Sequence, residues 1–296
     1  IAGRLDARRA LSAEAQRHKA PDAALFSSVR EAGILASRPI AWADILRRTR
    51  IDLLAGAPRP VPRVLGEAFA IIAGPCSVES EEHAYETARA LAAVGVQRMR
   101  GGCWKPRTSP HDFQGHGEAA LGWMRRACDE YGLELWTEVR DLDNLRHAAR
   151  IDVAWIGARN AQNFELLRAA GEACKRVVLK RGPAMTVEEW LHAAEYIRIG
   201  GADIALCERG VRGFDPMLRN ALDLPGALLA RAMGRYEVIV DPSHATGIPA
   251  LVGPLVAAAR AAGLDGAIIE AHPRPAESVT DAAQALSLDA VARLAA

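Results

Sequence analysis

Residues 176–210, RVVLKRGPAMTVEEWLHAAEYIRIGGADIALCERG, contain one complete strand–helix–strand unit. RVVLK and DIALCE are short β-rich apolar runs without clean alternation, the pattern of strands buried on both faces. TVEEWLHAAEYIRIGG between them is amphipathic with a helical period. The same alternation recurs on either side. Further runs begin at Phe69 (FAIIAGPC), Val96 (VQRMRGGC), Leu133 (LELWTEV), Val153 (VAWIGA), Tyr236 (YEVIVDPS) and Gly266 (GAIIEAH), which makes eight with the two quoted. Eight strand–helix units between Phe69 and Ala296 fit an α/β fold of the (β/α)8, or TIM, barrel type, which takes about 250 residues. An open doubly wound sheet is the alternative. No exact sequence repeat accompanies the period.

Upstream the pattern changes. Residues 55–65, AGAPRPVPRVL, carry three prolines within five residues and cannot continue a helix. They read as a linker between an all-α region, 1–54, and the barrel, 66–296. Arg4 to Lys19 lacks Gly and Pro and reads as a helix ended by Pro21 and Asp22, with further helices over about 22–36 and 41–54.

Composition limits the function classes. The chain has 296 residues, half of them hydrophobic, and a formal net charge of +1. That gives no overall bias toward nucleic acid or membrane, so a charged substrate must be met locally. Five widely spaced cysteines without a CxxC pair point to a reducing, cytoplasmic setting. No run approaches the roughly 18 apolar residues of a membrane span.

Four metal-ligating residue types follow apolar runs: Cys76 in IAGPCSVES, His244 in VDPSHATG, Glu270 in IIEAHPRP and Asp281 in SVTDAAQAL. A thiolate, an imidazole and two carboxylates suit Mn, Fe, Co or Zn better than Mg or Ca, which prefer oxygen-only shells. In a barrel, catalytic residues gather where strands end at the carboxyl face. Closure makes strands 7, 8 and 1 neighbours and brings His244, Glu270 and Cys76 together. Taken singly, each residue has a plainer role: Cys76 as buried packing, Asp241-Pro-Ser-His244 as a turn, Asp281 as the cap of DAAQAL. The other strand ends are basic, with Arg100, Lys105 and Arg107 after strand 2, Arg159 after strand 4, Lys180 and Arg181 after strand 5, and Arg209 after strand 6. Guanidinium groups suit phosphate and carboxylate, so these ends predict an anion pocket; a solvated rim is the competing reading. Glu138, Asp141 and Glu208 are expected to orient the basic side chains.

GPCSVES, RGGCWKPRTSPHDFQG, IGARNAQNFELL, LKRG, CERGVRGF, DPSHATG and EAHPRPAESVTDAAQAL occur in this order. The set resembles 3-deoxy-D-arabino-heptulosonate 7-phosphate (DAHP) synthases, in the short branch shared with 3-deoxy-D-manno-octulosonate 8-phosphate synthases, and it spans about residues 70–286. The resemblance implies condensation of phosphoenolpyruvate with erythrose 4-phosphate, the first step toward chorismate and the aromatic amino acids. It assigns phosphoenolpyruvate to Arg100, Lys105, Arg159, Lys180 and Arg209, and the aldose phosphate to Arg107 and Thr108. The divalent ion, Mn foremost, falls to Cys76, His244, Glu270 and Asp281. Lys105 is the implied proton donor, with Cys76 and His244 beside it in the catalytic set. Octulosonate-forming relatives usually carry KANRSS where this chain has KPRTS, and metal-independent ones carry Asn where it has Cys76. Trp104, Ala245-Thr246, Ala271 and Pro183-Ala184 depart from the family pattern without removing a proposed ligand or charge. An octulosonate synthase and a phosphate-binding barrel without turnover remain the alternatives.

The leading helices resemble the chorismate mutase domain sometimes fused to these synthases. Arg8 and Lys19 are eleven residues apart, about three turns, and so share a face; two cations on one face suit a dicarboxylate. With Arg30 and Glu31 they form the expected site for chorismate or prephenate, in either an effector-binding regulatory module or a second enzyme. The family's mutase sites span subunits, which implies a homo-oligomer, dimer or tetramer.

Overall fold

The computed structural model describes residues 64–65, 68–107, 109–234 and 236–295. The expected helices of residues 1–54 and most of the linker lie outside them. All eight expected strands are present and parallel: β1 (Ala70–Gly74), β2 (Arg98–Arg100), β3 (Glu134–Glu138), β4 (Val153–Ile156), β5 (Arg176–Lys180), β6 (Asp203–Glu208), β7 (Glu237–Val240) and β8 (Gly266–His272). Each pairs with the next, and β1 also pairs with β8, which closes the sheet and excludes the open alternative. A two-residue strand, β9 (Leu286–Ser287), extends β8 beyond the ring.

The outer layer consists of α1 (Glu81–Ala93), α2 (Glu118–Tyr131), α3 (Phe164–Ala173), α4 (Val187–Gly200), α5 (Leu224–Gly234), the short α6 (Pro242–Thr246), α7 (Pro249–Ala261) and α8 (Leu288–Ala295). One unit departs from expectation: after β3 the chain forms a 3-10 helix, Asn144–Arg150, in place of an α-helix. Local chemistry sets the boundaries of the opening example. Thr186 and Glu189 cap α4 reciprocally, and Gly201 closes it in the left-handed conformation that glycine adopts freely.

Inside the ring, Ile72, Trp136, Val153, Trp155, Val178, Ile239 and neighbours form one buried cluster. Burying each such aliphatic side chain contributes about 1.5–3 kcal/mol. Val64 and Leu65, read from sequence as linker, are part of this cluster. Their amides donate to Glu237 Oε2 at 2.5 and 2.9 Å, and Arg98 donates to the Leu65 carbonyl at 2.7 Å. Glu237 and Arg98 begin their strands, so this pair closes the end of the barrel opposite the carboxyl face.

On α1, His83 is buried with its ring 4.4 Å from that of His272 on β8. Burial, then the neighbouring His272, pushes its pKa from 6.5 down to about 4. A folded pKa below the unfolded one gives stability that is present above pH 6.5 and lost as pH falls toward 4. The linked increment is about 3 kcal/mol. Thermal melts of the wild type and His83→Gln should therefore converge, or cross, as pH drops from 7 to 4. A pH-independent difference would remove His83 as the acid-labile element.

Candidate active site

Register decides the site. Gly74 of β1 pairs with Glu270 of β8, and Val240 of β7 with Ala267 of β8. Cys76, two residues beyond Gly74, and His244, just beyond β7, thus flank Glu270. The chain can pass this closely only without certain side chains. A Cβ on Gly74 would lie 2.0 Å from the Arg100 carbonyl oxygen, and one on Gly102 would lie 2.5 Å from the Cys76 carbonyl oxygen.

One donor atom each from Cys76, His244, Glu270 and Asp281 lies within 4.8 Å of every other. Donors around one ion at roughly 2.0–2.3 Å are at most about 4.6 Å apart, so the four need only small adjustments to hold one. Asp281 Oδ2 accepts from Cys76 Sγ at 3.0 Å, and His244 Nε2 is 2.9 Å from Glu270 Oε1. The surroundings orient these groups as metal ligands require. Asp241 holds His244 Nδ1 with both oxygens, at 3.0 and 2.9 Å, which turns Nε2 toward Glu270. Arg100 donates to Glu270 Oε1 at 3.2 Å, and Gln284 donates to its other oxygen.

The plainer readings fare differently. Asp241-Pro-Ser-His244 is the start of α6: Asp241 caps it through the His244 amide at 3.0 Å, with Pro242 in its first turn. The cap and the imidazole orientation come from the same carboxylate. Asp281 makes no side-chain capping bond to the following 3-10 turn. Among the described residues it alone, apart from glycines, has positive φ, at 52°. That conformation costs roughly 1–2 kcal/mol in an L-residue and is offset where the surroundings fix it. Cys76 is buried with Lys105 Nζ 2.9 Å from its sulfur. The remaining cysteines are ordinary packing, since burial pushes the Cys103 and Cys128 thiols up to about 12 and Cys174 up to about 11.

Without an ion, the electrostatics resemble a buried ion-pair network. Burial opposes charge on His244, but Asp241 and Glu270 outweigh it and push its pKa up to about 10. Burial likewise opposes charge on Glu270, and His244, Arg100 and Lys105 hold its carboxyl well below the usual range. Lys105 is raised against burial by Cys76, Glu270 and Glu138, so it keeps its proton.

Beside this cluster is a cavity of about 420 Å³, bounded by His244 and Asp281 on one side. Seven basic side chains and three acidic ones line it, an excess that favours dianionic ligands. Lys105, Arg107, Arg159, Lys180 and Arg209, all expected at the mouth, do line it, together with Arg212 and Arg219. Lys105 and Lys180 are only 8% and 5% exposed, which rules out a solvated rim for them. Lys180 pairs with Asp241 at 2.6 Å, and Arg107 with Asp112 at 3.1 Å. Burial lowers the Arg209 pKa; it is a desolvated cation that would gain from an anion.

Three expectations about placement need correction. Arg100 is buried beneath the cluster, bonded to Glu270 and to the Cys76 carbonyl at 3.4 Å, and does not line the cavity. Arg181 turns away from the mouth and pairs with Glu208 and Asp223 at 2.9 and 2.8 Å. Asp141 pairs with Arg140 at 3.1 Å rather than with a cation of the cavity. Thr108, Arg8, Lys19, Arg30 and Glu31 lie outside the described residues.

Sequence reading missed other participants. Asp241 was legible, as an acceptor followed by proline and then histidine at capping distance. Gln284 and Arg219 were not: Arg219 reaches Gln284 at 2.9 Å and Asp281 at 3.5 Å from a loop with no periodic signal. Nor was Trp155, whose ring has the Arg100 guanidinium and the Lys180 ammonium over it at 5.0 and 5.3 Å.

The DAHP synthetase I family model matches residues 62–296. A phospho-2-dehydro-3-deoxyheptonate aldolase of Thermotoga maritima is 48% identical over 223 residues, 75% of this chain and 66% of that protein. The chain thus spans just under two thirds of this relative. A 2-dehydro-3-deoxyphosphooctonate aldolase of Syntrophotalea carbinolica is 30% identical over 81% of this chain and 90% of its own length. A crystal structure of the Thermotoga maritima DAHP synthase superposes with a TM-score of 0.75 at 46% identity, covering 78% of this chain and 68% of that one.

Proposed function

The chain belongs to the DAHP synthetase I family, and from that premise we propose that it condenses phosphoenolpyruvate with erythrose 4-phosphate and water to give 3-deoxy-D-arabino-heptulosonate 7-phosphate and inorganic phosphate. The observation that carries this reading is the junction of four residues able to ligate one metal ion with a strongly cationic cavity. A cavity of about 420 Å³ suits small ligands, and its spread of cations suits two separate phosphates.

In this reading Lys105, Lys180, Arg159 and Arg209 hold phosphoenolpyruvate, and Arg107 with Thr108 takes the aldose phosphate. The two substrates then meet above Lys105. Carbon 3 of phosphoenolpyruvate bonds to the aldehyde carbon, and the aldehyde oxygen becomes an alkoxide. Lys105 Nζ, charged and reaching both Cys76 and the cavity, is placed to give that oxygen a proton. Water adds at carbon 2, and the hemiketal phosphate collapses with loss of phosphate; the proton that water releases balances the one Lys105 supplies. Cys76, His244, Glu270 and Asp281 would hold a divalent ion, Mn foremost with Fe, Co and Zn as alternatives, and when bound it supplies a Lewis acid for the aldehyde oxygen. Arg100 and Gln284 keep the Glu270 carboxylate aimed at that position.

Erythrose 4-phosphate is favoured over arabinose 5-phosphate by KPRTS at residues 105–109 and by the higher identity to the heptonate aldolase than to the octonate one. Phosphate release from phosphoenolpyruvate should be at least tenfold faster with erythrose 4-phosphate when both aldoses are assayed side by side. The reverse preference would transfer the chain to octulosonate synthesis, and no release with either would support a binding barrel without turnover. For residues 1–54, motif likeness around Arg8, Lys19, Arg30 and Glu31 supports a chorismate- or prephenate-binding module in a cytoplasmic homo-oligomer. Chorismate disappearance without the aldose separates a mutase from a sensor.

A further inference from the structure

Glu79, His83 and His272 form a second cluster, with one candidate donor atom from each lying within 4.8 Å of the others. The spacing is that of a metal site, but the hydrogen bonding is not. His83 Nδ1 accepts from the Glu79 amide at 3.4 Å, and His272 Nδ1 from the Arg274 amide at 3.0 Å. A ring nitrogen that accepts leaves the proton of a neutral imidazole on Nε2. Both Nε2 atoms are then donors, with no lone pair to offer an ion. They are also buried without a hydrogen-bond partner, and His272 Nε2 lies 3.5 Å from Glu79 Oε2. The nearer of the two, on His272, thus faces the Glu79 carboxylate as a donor and not as a ligand.

The other oxygen of that carboxylate has a definite task. Glu79 Oε1 accepts from the Val279 amide at 2.8 Å, with the Ser278 hydroxyl 3.3 Å away. Ser77 and Thr280 share a buried hydroxyl–hydroxyl bond of 2.7 Å. These ties join the segment after β1 to the segment after β8, across about 200 residues of chain. They sit beside Cys76 on one segment and Asp281 on the other. The second segment is otherwise tied only toward its two ends, by Arg274 to Glu86 at 2.8 Å and by Asp281 and Gln284 to Cys76, Arg219 and Glu270; between them it is a 3-10 turn, Pro275–Glu277, and an exposed Val279. Its Asp281 has the unfavourable left-handed backbone described above, so the conformation must be imposed by contacts. An amide bond to a carboxylate is about twice as strong as a neutral one.

We propose that Glu79 is a positioning residue for the metal centre: by tying Ser278–Val279 to the β1 segment it holds Asp281 at coordinating distance from Cys76. The inference rests on the four-residue metal reading. Glu79 itself does not line the cavity and touches no substrate.

The test uses the whole protein, stripped of metal and titrated with Co(II), whose thiolate charge-transfer band reports Cys76. Glu79→Ala should weaken Co(II) binding about 10- to 100-fold, the range for residues that orient ligands. It should also speed amide exchange over residues 278–284 in the metal-free protein. Glu79→Gln, which keeps an oxygen for the Val279 amide, should restore most of both. Val279→Pro removes the donor while leaving Glu79 in place, at a position where Ser278 has ψ of 128° and so accepts a following proline; it should reproduce the loss even if Glu79→Ala does not fold. Unchanged Co(II) affinity in either folded variant overturns the proposal, with or without faster exchange. Absence of the thiolate band in the wild type, or its persistence in Cys76→Ala, would instead overturn the four-residue reading; exchange rates of the metal-free variants would still decide whether Glu79 holds the segment.

Discussion

Metal-stripped protein is expected to lose condensation and to recover it with Mn, whereas Cys76→Ala should recover about a hundredth to a thousandth of the wild-type rate. A Lewis acid at the aldehyde oxygen is worth several kcal/mol, and each 1.36 kcal/mol is tenfold in rate. Cys76 is the soft ligand of the set, and its sulfur also meets Asp281 at 3.0 Å and Lys105 at 2.9 Å. Removing it therefore takes away a ligand and a contact that aligns two further groups. The barrel should survive, because Cys76 follows β1 and its side chain is not among those packed inside the ring. The measurement is phosphate release at defined Mn concentrations, with bound metal counted on the same sample. Full activity in Cys76→Ala would sink the ligand assignment.

Lys105→Met should lower kcat by about 10²- to 10⁴-fold, the usual contribution of a positioned acid, with a smaller change in KM. The substitution keeps most of the aliphatic stem and removes the charge. Lys105 is buried yet held protonated by Cys76, Glu270 and Glu138, so the wild type should show no fall in kcat from its deprotonation through neutral pH into the alkaline range. If Lys105→Met raised KM tenfold with kcat unchanged, Lys105 would be a binding residue only, and the proton would come from another group.

The barrel was legible because its signal is repeated. Each apolar run, such as RVVLK or DIALCE, is short and buried on both faces, and eight of them separated by helical patterns leave few topologies. The exception after β3 was hidden because NLRHAAR, residues 144–150, has the composition of a helix and too little length to show a period. The four candidate ligands were legible for a different reason: they are chemically distinctive residues at strand ends, where a barrel concentrates function. Arg100 and Arg181 show the limit of that logic. Both follow strands, as Lys180 does, but a side chain after a strand can enter the cavity, go beneath it or turn outward, and nearby carboxylates decide which. Glu270 draws Arg100 under the site, and Glu208 and Asp223 draw Arg181 away from it.

By itself the sequence determined the barrel, the order of its strands and the residue types able to ligate a metal or bind phosphate, since periodicity and side-chain chemistry are local properties. Only the tertiary structure decided which of those residues meet. β1 closes against β8 with Gly74 opposite Glu270, and that register sets Cys76 beside a carboxylate far along the chain. The ties from Glu79 and Ser77 to the segment after β8, and the unusual backbone of Asp281, follow from the same closure. Contacts between distant segments depend on how twisted strands pair around a ring, and no periodicity within either segment encodes that.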